Sequence, residues 1–424
     1  MTLIEARVAP GVGVSNGTSS KAAFDRWFRY PAGLSQDALT RLFDSRRNPT
    51  QGTVVDPFCG AATVGTRAAR HGWGFVGVEA HPEVAELGRV KLAAPPDLDE
   101  LGALGDRIAQ AKTLPVSIDA EHDLVRRCFT PEALTVLVAL RTAIIEVDDP
   151  TQKYLKWALL ATLRDVANVK VGWPYLRPGL SRTPPHLDVA HRFRVRLGWM
   201  IADLAGRHTT PEARVLQGDS GDAQTWAPMR AAGVTGTVAL TSPPYLNNFD
   251  YADATRLEMF FWGRNASWAD MVADVRAEMI IATTQQTTVG AAAAALSGLS
   301  ELPTTESMVS DLVTRLAHER STRRAGKAYD RVLPSYTQGI VNVLTQLRAH
   351  LEPGSWTGWV VGDSAPYGVY VDTPKLIETA ATELGYFAAE SEVLRTRGMR
   401  WRTNGTRHQV ALDERLLWIR TPID

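Results

Sequence analysis

The chain is 424 residues long, 45% hydrophobic and 22% charged, with 46 Lys and Arg balanced by 46 Asp and Glu. Those proportions are ordinary for a globular protein of one large elaborated domain or two, and they exclude a chain disordered throughout. With no apolar run near the roughly 18 residues of a membrane span, no secretory start and only two cysteines, Cys59 and Cys128, the expectation is a cytoplasmic protein with no membrane contact, no disulfide framework and no bound metal.

In chain order, residues 1–20 read as a flexible tail, and Lys21–Phe43 opens with Pro-interrupted aromatics before a helix capped by Ser35. Thr53–Asp56 is a short buried strand, and the Pro57–Ala62 turn opens a helix over Thr63–Arg70 closed by Gly72. Gly74–Glu79 is a second strand and Pro82–Leu92 a second helix, completing a βαβ unit of a parallel sheet. Residues 94–213 break this rhythm with helical patterning, including Tyr154–Val166 and Val189–Leu204. Strands resume at Arg214–Gly218 and Thr237–Thr241. A second interruption covers 264–330, with the run Gly290–Leu299 inside it. A helix over Tyr336–Leu351, a strand at Thr357–Val361 and a helix over Pro374–Leu384 follow. Two closing strands near Ala388–Leu394 and Gln409–Ile419 suit an antiparallel finish. The pattern predicts an α/β fold: one doubly wound sheet from residues 21–93 and 214–424, split by insertions at 94–213 and 264–330.

The sharpest chemical signal is Asp56-Pro57-Phe58-Cys59-Gly60-Ala61-Ala62-Thr63. Ligands of an open parallel sheet bind beyond the carboxyl ends of its strands, where a glycine turn lets backbone N–H groups approach closely. Asp56 at that strand end suits an ammonium group, and Glu79, ending the next strand, suits two ribose hydroxyls. A glycine turn alone is more often ordinary structure; two acids ending consecutive strands point to an adenosyl ligand carrying an amino acid. The second signal is Thr241-Ser242-Pro243-Pro244-Tyr245, after the apolar strand Val238–Leu240. Two prolines stiffen the turn and remove two donors. An exocyclic amine needs such acceptors, and a flat base needs an aromatic face such as Tyr245.

Together these segments resemble the S-adenosylmethionine-dependent amino-methyltransferases that act on exocyclic nitrogens of DNA bases. Thr-Ser-Pro-Pro-Tyr is the form typical of cytosine-N4 enzymes, whereas Asp or Asn at the Ser242 position is more usual in adenine-N6 enzymes. The likeness extends to Phe28–Leu34 before the cofactor turn, to Gln217-Gly218-Asp219-Ser220, and to Tyr245–Tyr251 leading into a helix through Trp262. It implies a Rossmann-like, mostly parallel seven-stranded methyltransferase sheet with an antiparallel last strand and helical insertions. It also implies that Tyr30, Pro31, Asp56, Pro57, Phe58, Cys59, Gly60, Glu79, Ala80, Asp219, Ser220 and Thr241 surround S-adenosylmethionine. Ser242, Pro243, Pro244 and Tyr245 would hold the target base, flipped out of double-stranded DNA for direct methyl transfer. One departure is Ala61-Ala62, where many members have a small residue and then Gly; an alanine starting the helix is tolerated there if its φ is negative. The implied setting is restriction-modification or another defence, with any cleaving nuclease a separate partner.

Charge is segregated along the chain. Basic residues outnumber acidic ones 11 to 4 from Lys153 to Arg214 and 6 to 2 from Arg315 to Arg331, and Arg395–His408 has 5 Arg and no acid. Lys170, Arg177, Arg182, Arg192 and Arg194 interleave with Trp173, Tyr175, Phe193 and Trp199, and Arg323, Arg324, Arg400 and Arg402 mark further basic stretches. Singly, such residues are more often a solvated face; as a set they point to DNA contact. The 94–213 insertion is then a candidate target-recognition element and 264–330 a candidate clamp. Alternatives are an adenine-N6 enzyme, an RNA guanine-N2 enzyme, or a DNA-binding relative without turnover. Cytosine carbon-5 chemistry needs a Pro-Cys nucleophile, and neither cysteine follows a proline. A zinc deaminase lacks its ligands, since His186 and His191 have no Cys-x-x-Cys beside them.

Overall fold

A computed structural model describes residues 22–30, 34–148, 150–171, 177–181, 188–207, 212–246, 250–283, 287–324, 326–397 and 411–423. Pro31, Arg182, Arg400 and Arg402 lie outside the described residues. Lys170 and Arg177 belong to a two-stranded ribbon, Val169–Lys170 with Arg177–Ser181, described by its backbone.

Val54, Val55, Phe75, Val76, Val78, Val238, Ala239 and Leu240 are all buried, as the residues of a parallel sheet covered on both faces must be. The sheet has seven strands: β1 (Thr53–Asp56), β2 (Gly74–Glu79), β3 (Ala213–Gln217), β4 (Gly236–Thr241), β5 (Leu351–Gly362), β6 (Phe387–Arg397) and β7 (Leu412–Arg420). Their spatial order is β3-β2-β1-β4-β5-β7-β6. The pairs from β3 to β5 are parallel, and β7 runs antiparallel to both β5 and β6. This is the doubly wound, mostly parallel Rossmann-like architecture expected. The order reverses direction at β1 and β4, so the crevice between their carboxyl ends is where such sheets bind ligands.

The first insertion carries the helices Leu98–Gln110, Pro131–Ile145, Thr151–Val166 and Val189–Ala205. They share a core with Phe24, Trp27, Phe28 and Tyr30 of the N-terminal segment and with Leu257, Met259, Phe260 and Phe261 after β4. In the second, the helices Val289–Gly298 and Pro303–Ser321 bring Leu299, Leu302, Val309 and Leu316 into the core that contains Val76, Val78, Tyr336 and Trp359.

Two boundaries differ most from the sequence reading. The helix before β5 spans Tyr329–His350, beginning two turns earlier and running through Pro334. Proline removes one intrahelical bond, but Val332, Leu333 and Tyr336 are almost fully buried around it, and their packing carries the helix across. β5 likewise begins at Leu351 rather than Thr357.

Candidate functional site

A cleft of ≈ 1000 Å³, counted to its open mouth, lies over the carboxyl ends of β1, β2 and β4. Asp56, Pro57, Phe58, Cys59 and Gly60 line it from the turn after β1, and Glu79 and Ala80 from the end of β2. Ser220 enters from the loop after β3, Ser242 and Pro244 from the double-proline loop, and Tyr30 from the N-terminal segment. The two loops singled out in the sequence therefore share one cavity. Thr241 stands behind Asp56, donating its hydroxyl to Asp56 Oδ1 at 2.6 Å. Asp219, Pro243 and Tyr245 adjoin the lining residues.

The turn is built from left-handed backbone. Gly60 has φ +51°, and a Cβ there would point at the Tyr30 ring, 3.7 Å away. Glycine thus keeps the floor of the cleft open and its N–H groups approachable. Ala62 has φ +59° and ψ +38°, so the condition of a negative φ is not met. The helix Thr63–Arg70 begins one residue later, and the chain must reverse from strand to helix before it. An L-residue in this conformation costs about 1–2 kcal/mol. The Ala62 methyl is fully buried and packs where a Cβ on Gly88 would lie only 3.3 Å away, which offsets part of that cost. Lys91, also buried, donates from Nζ to the Ala61 carbonyl at 2.9 Å.

Two acids of the cleft, Asp56 and Glu79, are held away from water. Asp56 is 2% exposed, and burial lifts its pKa to about 7 against the hydrogen bonds from Thr241 and the Phe58 N–H. Glu79 is lifted to about 7 for the same reason, with the His81 and Gly60 N–H groups opposing. The His81 N–H reaches Glu79 Oε1 at 2.7 Å. The His81 ring is fully buried and lies 2.5 Å from Thr255 Oγ1 through Nε2; burial lowers its pKa to about 3, so it is neutral. Glu278, from the second insertion, also lines the cleft and accepts the Asp219 N–H at 3.3 Å. Asp219 has its pKa raised by burial and, secondarily, by Glu278 and Asp222. Two carboxyls poised near 7 and facing one cavity suit a cationic ligand, whose charge restores their ionised form.

The double-proline loop is pinned to the neighbouring strands. Ser242 donates its hydroxyl to the Val360 carbonyl at 2.9 Å, and Ser364 donates to the Leu246 carbonyl at 2.6 Å. Tyr245 donates its hydroxyl to Glu414 Oε1 at 2.8 Å, and Arg395 holds Glu414 through two bonds of 2.6 and 3.0 Å. The Arg397 guanidinium sits 5.1 Å from the Tyr245 ring centroid. When its proton goes to Val360, Ser242 Oγ keeps lone pairs that can accept from a ligand. Asp363, just after β5, accepts from Tyr370 and the Asp413 N–H and so ties that strand end to β7.

Several of the basic residues are engaged within the fold. Arg192 and Arg196 both bind Asp165, at 2.6 Å each, and their guanidiniums stack on Trp199. Arg194 is half-exposed and 3.6 Å from Asp106. Arg323 pairs with Glu319 at 3.2 Å and covers the Tyr367 ring, and Arg324 is exposed. Asp203, buried in the first insertion, accepts from the Phe24 N–H, the Trp27 indole and Arg26, fastening the segment that carries Phe28 and Tyr30 over the cleft.

Sequence reasoning missed Lys91, Glu278, Asp203 and Glu414. Lys91 alone left a trace: it stands between Val90 and Leu92 on a helix that is almost wholly buried. Among the described residues no His, Cys, Asp and Glu cluster is placed to hold a metal, and no helix is long and apolar enough to cross a membrane. No protein-family model and no curated protein matches this chain.

Proposed function

We propose that this protein transfers a methyl group from S-adenosylmethionine to the exocyclic N4 amine of cytosine in double-stranded DNA. One observation carries the reading: the acidic glycine turn and the double-proline loop line the same cleft. The absent Cβ of Gly60 leaves the cradle an adenosyl ligand needs. When bound, the cofactor supplies an electrophilic methyl on a positively charged sulfur.

Asp56 keeps Oδ1 for Thr241 and Phe58 and has Oδ2 for an ammonium group. Glu79 keeps Oε1 for His81 and has Oε2 for ribose hydroxyls, while Asp219 is the acceptor for an adenine amine. At the other reactant, Pro243 and Pro244 have no N–H, so that stretch of the loop offers an incoming amine only backbone acceptors. The cytosine amine is planar because its lone pair is shared with the ring. Ser242 Oγ and the Pro243 carbonyl, by accepting its two protons, favour a pyramidal nitrogen as bonding begins, an interaction that grows towards the transition state. The methylated nitrogen is then cationic and acidic enough to lose its extra proton to water. Tyr245, held by Glu414, offers the ring face not covered by Arg397 as the stacking surface for a base taken out of the duplex. The exposed basic side chains supply phosphate contacts, and restriction or other defence is the setting that suits such a reaction.

The test is mass spectrometry of nucleosides from DNA incubated with the protein and methyl-labelled S-adenosylmethionine. Labelled N4-methylcytosine is expected. N6-methyladenine would transfer the reading to the adenine enzymes, and no labelled nucleoside from DNA of any sequence would overturn it.

A further inference from the structure

We infer that Lys91 is a specificity residue of the cleft: its ammonium is the counter-ion for the carboxylate of the ligand's amino-acid moiety. The inference rests on the proposed cofactor. An amino-acid moiety is a zwitterion, and a site that recognises it whole must offer a cation as well as an acid. The cleft is lined by Asp56, Glu79 and Glu278, and among its described lining residues Lys91 is the single Lys or Arg. It reaches the cleft from the helix Pro82–Leu92, at the Ala61 carbonyl next to Gly60, where the turn admits a ligand closest to the backbone. That carbonyl uses one of the three ammonium protons. Nearby acids do not already spend the charge. Asp25 accepts from Thr63 and Gln36, and Asp203 is bound by Arg26 and Trp27; both act on Lys91 through space. A buried ammonium whose bonded partner is one neutral carbonyl is expensive, and a carboxylate ligand would repay it with a charge-assisted hydrogen bond.

The experiment is calorimetric binding of S-adenosylhomocysteine and of its decarboxylated counterpart, 5′-(3-aminopropyl)thioadenosine, to the full chain. Loss of the carboxylate adds a positive charge to the ligand, which an acid-lined cleft would otherwise favour. A wild-type preference of about tenfold or more for the carboxylated ligand is expected. Lys91→Gln, which retains a donor for Ala61, and Lys91→Met, which retains most of the chain length, should each reduce that preference to near unity. A wild-type protein that binds both ligands equally would overturn the inference even if neither variant folds. So would variants that lose affinity for both ligands in the same proportion, because Lys91 would then only brace the turn. Binding of neither ligand by the wild type would instead remove the cofactor reading, and this inference with it.

Discussion

Asp56→Asn should make the protein more stable while destroying its ligand affinity. The carboxyl is buried, and its pKa rises from 3.8 to about 7 on folding. Between those values the folded state keeps a proton that the unfolded chain has lost, so stability declines as pH rises from about 4 to 7 and is level above that. The full penalty above pH 7 is at most about 4 kcal/mol; water entering through the open mouth screens part of it, leaving about 2 kcal/mol. The amide replacement keeps an oxygen where Oδ1 accepts from Thr241 and Phe58, so no internal bond need break. Thermal unfolding at pH 8 should therefore show a gain of a few degrees for the variant, shrinking to nothing near pH 4. Calorimetry at pH 8 should show at least a hundredfold loss of S-adenosylhomocysteine affinity, since an amide cannot neutralise an ammonium group. A variant less stable than wild type at pH 8, or a difference that ignores pH, would refute the claim that burial without a fixed counter-charge is what perturbs Asp56.

Three further outcomes are expected. Tyr245→Ala should abolish methyl transfer while leaving S-adenosylhomocysteine binding within a few-fold, and Tyr245→Phe should retain measurable transfer at a stability loss of about 1 kcal/mol from the Glu414 bond. Ala62→Gly should be near neutral in chemical denaturation: relief of about 1–2 kcal/mol of left-handed strain is matched by about 0.8 kcal/mol for the lost buried methyl and 0.5–1 kcal/mol of backbone entropy. Asp203→Ala should cost about 3–5 kcal/mol by stranding Arg26 and the Trp27 indole, and limited proteolysis should then cut before Thr53 and abolish ligand binding.

The strand-turn-helix units and both candidate loops were legible because their constraints are local. A glycine forced to positive φ, an acid ending a strand and a proline pair leave marks within a few residues of one another. Glu278 and Glu414 leave none, since each acts on a residue more than fifty positions away in the chain, Asp219 and Tyr245, and periodicity says nothing about such partners. The left-handed conformation of Ala62 was not legible, because it goes with packing against Gly88 and with Lys91 bonding to Ala61 from the next helix, and not with alanine's own preference. Arg192 looked like a phosphate contact, yet Asp165 already holds it; charge counted along a sequence cannot tell a pair from a free cation. The early start of the helix at Tyr329 was hidden by Pro334, whose local penalty is overridden by burial of Val332 and Leu333.

The fastening at Asp203 also governs the order in which the molecule can be completed. Phe24, Arg26 and Trp27 leave the ribosome well before the carboxylate that anchors them, which is separated from Arg26 by 177 positions. During synthesis, at roughly 5–20 residues per second, these aromatics wait about ten seconds or more for their mooring. Until then the emerging βαβ unit stands without its cover, so an N-terminal fragment ending before the helix Val189–Ala205 is expected to be sticky and dependent on chaperones, and its rescue by a separately supplied insertion would be a direct sign of that dependency.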